Sequence, residues 1–116
     1  MYIDDEAALV HLFTRMLQRM GHAVEGFTDA RAAIEVFRAD PSRIDLVVTD
    51  FNMPRMSGHD VARELLAVRP DICIAVITGY LDDALVASSH AIGIRHVLYK
   101  ANSVKELCES VHRLLQ

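Results

Sequence analysis

Asp4, Asp5, Asp50, Thr78 and Lys100 each close a short apolar run, and together they supply the residue types that phosphoryl chemistry uses. The runs are YI before Asp4, LVVT before Asp50, ICIAVI before Thr78 and VLY before Lys100. Carboxylate oxygens are the ligands that hard divalent cations prefer. A hydroxyl and an ammonium can meet the oxygens of a phosphoryl group, where charge must be neutralised. If the runs are buried strands of an open parallel sheet, their carboxyl ends face the crevice in which such sheets bind ligands.

The segments between the runs must then be helices. Ala8, Leu9, Leu12, Phe13, Met16, Leu17 and Met20 recur at helical spacing, and Gly21 follows as a stop signal. Residues 23–27 read as a short second strand. Thr28-Asp29 caps a helix carrying Ala33, Ile34 and Phe37, which ends at Asp40-Pro41-Ser42. The uninterrupted LVVT run is expected to be covered on both faces. Val61, Ala62, Leu65 and Leu66 mark a third helix closed by Arg69-Pro70. Asp82-Asp83 open a fourth helix, and Gly93 suits its exit. Ser103-Val104-Lys105-Glu106 reads as a capping box before a last helix with Val104, Leu107, Cys108, Val111, Leu114 and Leu115 inward. The order βαβαβαβαβα calls for one α/β domain over residues 1–116, a parallel sheet with helices on both sides. The first strand is short for a central position, as in a piece excised from a longer chain.

Composition narrows the classes of function. A chain of 116 residues with 52% hydrophobic and 24% charged residues builds an ordinary compact core. A net charge of -4 without a Lys/Arg cluster gives no basis for nucleic-acid binding. No apolar run is long enough to span a bilayer and no leader is recognisable, so direct membrane contact is not expected and a cytoplasmic location is. Cys73 and Cys108 lie in apolar segments at no metal-ligand spacing and read as reduced core thiols, and the six histidines show no ligand pattern.

In order and interval, YIDDE at residues 2–6, LVVTDFNMPRMSG at 46–58, AVITG at 75–79 and LYK at 98–100 make the chain resemble the receiver domain of two-component response regulators, over essentially its whole length. The resemblance implies a flavodoxin-like (βα)5 doubly wound sheet with strand order 2-1-3-4-5. It implies that Asp50 takes a phosphoryl group from a phosphohistidine of a sensor histidine kinase or phosphotransfer domain. Mg²⁺ is the implied cofactor, held by Asp5, Asp50 and the backbone carbonyl of Asn52, with Asp4 acting through a bound water. Lys100 matches the ammonium that pairs with a phosphoryl oxygen, and Thr78 the hydroxyl that moves to meet it. Glu6 is expected to cap the first helix. Asn52 and Tyr80 match positions that influence how fast water removes the phosphoryl group, Tyr80 either shielding the site or packing on the surface.

Two positions depart from the family pattern. Ala101 follows Lys100 where the family usually has a cis proline, which puts the reach of Lys100 toward Asp50 in question, a non-proline cis bond costing about 2.5–4 kcal/mol. Val97 stands where many receivers carry a switching aromatic, so coupling from Asp50 to the outer face of the fourth helix and fifth strand is expected to be weak or to use another element. The segments GYLDD and KANSVKELCESV look more like receivers attached to hybrid sensor histidine kinases than stand-alone ones. A single-domain regulator and a non-phosphorylated pseudo-receiver are the alternatives, and a monomer or weak dimer is expected. A haloacid-dehalogenase-type phosphatase would need an Asp where Asn52 stands.

Overall fold

The computed structural model describes residues 1–100 and 103–116, so the Lys100–Ala101 peptide lies outside the described residues. Five parallel strands run in the order β2-β1-β3-β4-β5. They are β1 (Tyr2–Ile3), β2 (Gly26–Phe27), β3 (Leu46–Asp50), β4 (Cys73–Thr78) and β5 (His96–Tyr99), alternating with α1 (Ala7–Arg19), α2 (Ala30–Ala39), α3 (Gly58–Val68), α4 (Asp83–Ile92) and α5 (Val104–Leu114). This is the doubly wound flavodoxin-like sheet with a short first strand.

Side-chain alternation along the strands sorts the core into two layers. Ile3, Val47, Ile74 and Val76 face Ala33, Ile34 and Phe37 of α2 and Val61, Ala62 and Leu65 of α3. Tyr2, Leu46, Val48, Ala75 and Ile77 face Phe13 and Leu17 of α1 and Leu107, Cys108 and Val111 of α5. All five residues of β3 are buried, as expected for a strand covered on both faces. The two cysteines are free thiols, Cys108 buried and Cys73 half-buried.

Helix ends follow local chemistry. Asp29 accepts from the Arg31 N–H, Asp82 from Leu85 and Ser103 from Glu106, each satisfying a first-turn donor. Gly93 leaves α4 with φ 115°, a left-handed conformation that favours glycine. The box expected at Ser103 is only half made among the described residues, whereas a complete one joins Ser57 and Asp60 at the start of α3, where none was read. The second strand is also shorter than residues 23–27. Leu12 stays exposed at the margin of the α1 stripe that carries Phe13 and Leu17, Ala8 falls on the opposite face of that helix, and Leu115 stays exposed because it follows the last residue of α5.

Candidate functional site

Parallel register brings the strand ends level. Ile3 pairs with Thr49, Asp50 with Ile77 and Thr78 with Tyr99, so Asp4 emerges one step beyond β1 beside the last residue of β3. The chain leaving β3 is held tightly, with the Phe51 N–H donating to the Ile77 carbonyl at 2.8 Å and the Gly58 N–H to the Phe51 carbonyl at 2.8 Å. A Cβ at Gly58 would stand 2.8 Å from the Asp50 carbonyl oxygen and 2.9 Å from Val76 Cγ2, so that return turn has room only for glycine.

Asp4, Asp5 and Asp50 each place a carboxylate oxygen within 4.8 Å of the others. Asp4 and Asp50 are buried and Asp5 is exposed. Lys100 Nζ lies 3.9 Å from Asp4 Oδ2 and 3.9 Å from Asp50 Oδ2. The ammonium therefore reaches toward Asp50 in this chain. Burial and the Asp4 charge push the Asp50 carboxyl up to about 6 from the ordinary 3.8, against the opposing pull of Lys100 and a backbone hydrogen bond from Asn52. Three converging carboxylates with one ammonium leave net negative charge, and a hard cation with oxygen ligands fits that donor set.

Strand parity separates Thr78 from the other three. Asp4, Asp50 and Lys100 continue the alternation of Tyr2, Val48 and Leu98, on the α1/α5 side, whereas Thr78 continues that of Val76 on the opposite side. The buried Thr78 hydroxyl donates to the Tyr80 carbonyl at 2.9 Å and accepts the Tyr80 N–H at 3.1 Å. The Tyr80 residue is 75% exposed, so its backbone rather than its ring engages Thr78. Val97 is half-buried against the α2/α3 layer.

Three contacts escaped the sequence reading. The Tyr2 hydroxyl donates to Asp4 Oδ2 at 2.8 Å, a bond foreshadowed by i, i+2 spacing on one strand face. Glu6 holds the N-cap position of α1 with no side-chain cap bond, and it is Asp4 Oδ1 that accepts the Glu6 N–H at 3.0 Å. Capping by the Glu6 side chain is thus corrected: Glu6 sits at the N-cap position without a side-chain bond to the first turn, and its own N–H is taken by Asp4. His59 Nε2 pairs with the fully buried Ser89 hydroxyl at 2.8 Å while its ring meets Phe51 edge-on at 4.9 Å. Elsewhere His22 Nε2 and His112 Nδ1 lie 2.7 Å apart.

The chain is 32% identical over 114 residues to "Sensor kinase CckA" of Brucella abortus, covering 98% of this chain but 12% of that protein. It is 29% identical to "Response regulator receiver protein CpdR" of the same organism, covering 97% of this chain and 92% of that one. Among solved structures, a response regulator receiver domain protein from Clostridium thermocellum superposes with a TM-score of 0.83 at 25% identity, over 99% of this chain and 96% of that chain. No helix among the described residues is long and apolar enough to cross a membrane. The family model described as "Response regulator receiver domain" matches residues 1–112, so an acidic cluster, a lysine and a strand order that agree independently are those of a chain belonging to the receiver domains of two-component signalling.

Proposed function

We propose that Asp50 is the phosphoacceptor of this receiver, taking a phosphoryl group from a phosphohistidine on a sensor histidine kinase or phosphotransfer domain. An Asp50 carboxylate oxygen attacks phosphorus, the P–N bond breaks, and the imidazole nitrogen keeps the bonding electrons. The observation that carries the reading is the buried Asp50 carboxylate flanked by two further carboxylates within 4.8 Å and by an ammonium 3.9 Å away. Phosphoryl transfer asks chiefly for positioning and charge neutralisation, and this cluster offers both.

Asp5, Asp50 and the Asn52 carbonyl would hold Mg²⁺, with Asp4 acting through a water molecule. When bound, the cation offsets the carboxylate repulsion and the charge on the incoming group. Lys100 pairs with a phosphoryl oxygen. Thr78 must give up its bond to the Tyr80 carbonyl before its hydroxyl can donate to the phosphoryl group. With Val97 in place of a switching aromatic, coupling from Asp50 to the outer face of α4 and β5 is either weak or carried by another element. The similarity to a sensor kinase supports a place within a hybrid kinase at the cytoplasmic side of a signalling pathway, the domain itself being a monomer or weak dimer without nucleic-acid contacts.

Intact mass after incubation with acetyl phosphate and Mg²⁺ tests the assignment. Wild type gains the mass of one phosphoryl group and Asp50→Asn gains none. Equal labelling of the two proteins would defeat it.

A further inference from the structure

Tyr2 belongs both to the core and to the acidic cluster. Its ring is buried and stacks on Phe13 of α1, centroids 4.0 Å apart and planes inclined by 17°. Its hydroxyl reaches past the end of β1 to Asp4 Oδ2 at 2.8 Å. Asp4 is 1% exposed, and its two oxygens are held by two donors of different origin, Oδ1 by the Glu6 N–H at 3.0 Å and Oδ2 by Tyr2. The terminal torsion of an aspartate is soft, so a single donor leaves the carboxylate plane free to rock. Donors on both oxygens fix that plane, and each oxygen keeps lone-pair capacity for a further partner.

Lys100 does not substitute for the hydroxyl. At 3.9 Å from Asp4 Oδ2 it lies beyond hydrogen-bond distance and stands equally far from Asp50. Without Tyr2, the side of Asp4 that faces the cluster would have only a distant, shared ammonium to orient it. The Tyr2 ring lies in the buried cluster that also holds Phe13, Leu107 and Cys108.

We infer that Tyr2 is a positioning residue for the divalent cation, acting through Asp4: its hydroxyl holds the Asp4 carboxylate in the orientation from which that group serves a cation shared with Asp5 and Asp50. The inference rests on the cation reading given above. Partners that orient metal-binding carboxylates commonly contribute about 10- to 100-fold in affinity. Tyr2→Phe removes the hydroxyl and keeps the stacked ring, so it isolates this contribution. Phe13→Leu does the reverse, loosening the stack and keeping the hydroxyl.

Mg²⁺ is titrated into wild type, Tyr2→Phe and Phe13→Leu without phosphodonor, following backbone amide NMR shifts, with thermal unfolding in chelator measured in parallel. Tyr2→Phe is expected to bind Mg²⁺ about tenfold more weakly. Phe13→Leu is expected to lose thermal stability and keep near wild-type affinity. With acetyl phosphate, the Tyr2→Phe rate should be regained as Mg²⁺ is raised, a shift in half-saturation that general loosening of the core would not produce. In wild type the Tyr2 hydroxyl proton should give a slowly exchanging resonance, a measurement that needs no variant to fold. Unchanged or tighter Mg²⁺ binding by Tyr2→Phe overturns the inference, as does equal weakening in Phe13→Leu or a freely exchanging hydroxyl. These results leave Asp50 as phosphoacceptor intact, whereas wild type failing to bind Mg²⁺ overturns the cation reading and the role of Tyr2 together.

Discussion

The Lys100 ammonium stands 3.9 Å from Asp50 Oδ2 and an equal 3.9 Å from Asp4 Oδ2, bonded closely to neither. A cation so placed neutralises both carboxylates in part and keeps donors for a phosphoryl oxygen arriving between them. Lys100→Met should lower the rate of labelling by acetyl phosphate on the order of 10²–10³-fold, as loss of a donor aimed at developing charge does elsewhere. Its circular dichroism should match wild type, because the Lys100 side chain is 32% exposed and Met keeps an unbranched apolar stem in its place. A wild-type rate would show that the ammonium contributes nothing at phosphorus.

Stability should respond to pH through Asp50. In the folded metal-free chain burial and the Asp4 charge raise this carboxyl to about 6 from 3.8, so between those values the folded state holds more protons than the unfolded one. Its contribution to stability is then present at low pH and lost as pH rises through about 6. Asp50→Asn removes that loss. In chelator, the variant should gain on wild type by on the order of 1–3 kcal/mol at pH 7 and show little advantage at pH 4, read from urea midpoints. A constant difference across that range would contradict the sign.

Removing the cation should act on fold and chemistry together. Excess chelator should abolish labelling of Asp50. Mg²⁺ at about a hundred times its dissociation constant should raise folding stability by about 2.7 kcal/mol through mass action. A differential scanning measurement that moves with Mg²⁺ in wild type but not in a variant carrying Asp4→Asn and Asp5→Asn would tie the gain to the acidic cluster.

Gly58→Ala should disturb Asp50 through its backbone and leave its carboxylate untouched. The added methyl would meet the Asp50 carbonyl oxygen at 2.8 Å and Phe51 Cα at 3.0 Å, both backbone atoms that cannot swing aside. A loss of about 1–3 kcal/mol is expected, with slower labelling of Asp50. Chemical denaturation and intact-mass time courses read the two effects separately.

His59 and Ser89 form a partly buried pair whose energetics a cycle can isolate. His59→Leu leaves the fully buried Ser89 hydroxyl without its partner and should cost about 1–3 kcal/mol, much of it recovered by adding Ser89→Ala. Additive losses in the double variant would mean that the hydroxyl finds another acceptor.

Convergence of Asp4, Asp50 and Lys100 was legible because buried strands announce themselves by apolar runs, and parallel strands place their last residues along one edge. Helix identities were equally plain from spacing. What spacing could not convey is which atom a polar group chooses once inside. Thr78 bonds its own loop, Asp4 takes the Glu6 donor, and Tyr2 turns out to end at a carboxylate although its position in the run marks it as core. Each of these bonds joins residues two apart in sequence, at 2.8, 3.0 and 2.9 Å, and apolar periodicity records which side of an element is buried without saying which donor meets which acceptor there. Exposure of Leu12 adds a second limit: an apolar residue at the edge of a stripe is buried only if a neighbouring element lies over it.

Asp50 ends a strand that is paired along both of its margins, to β1 and to β4, while Lys100 leaves β5, which is paired along one. On the proposed assignment, the two groups that would flank a phosphoryl group are therefore mounted on an inner strand and an edge strand, with ladder bonds on two sides and on one. A change of geometry at Asp50 would meet resistance from both neighbours of β3, whereas Lys100 could shift by straining a single ladder.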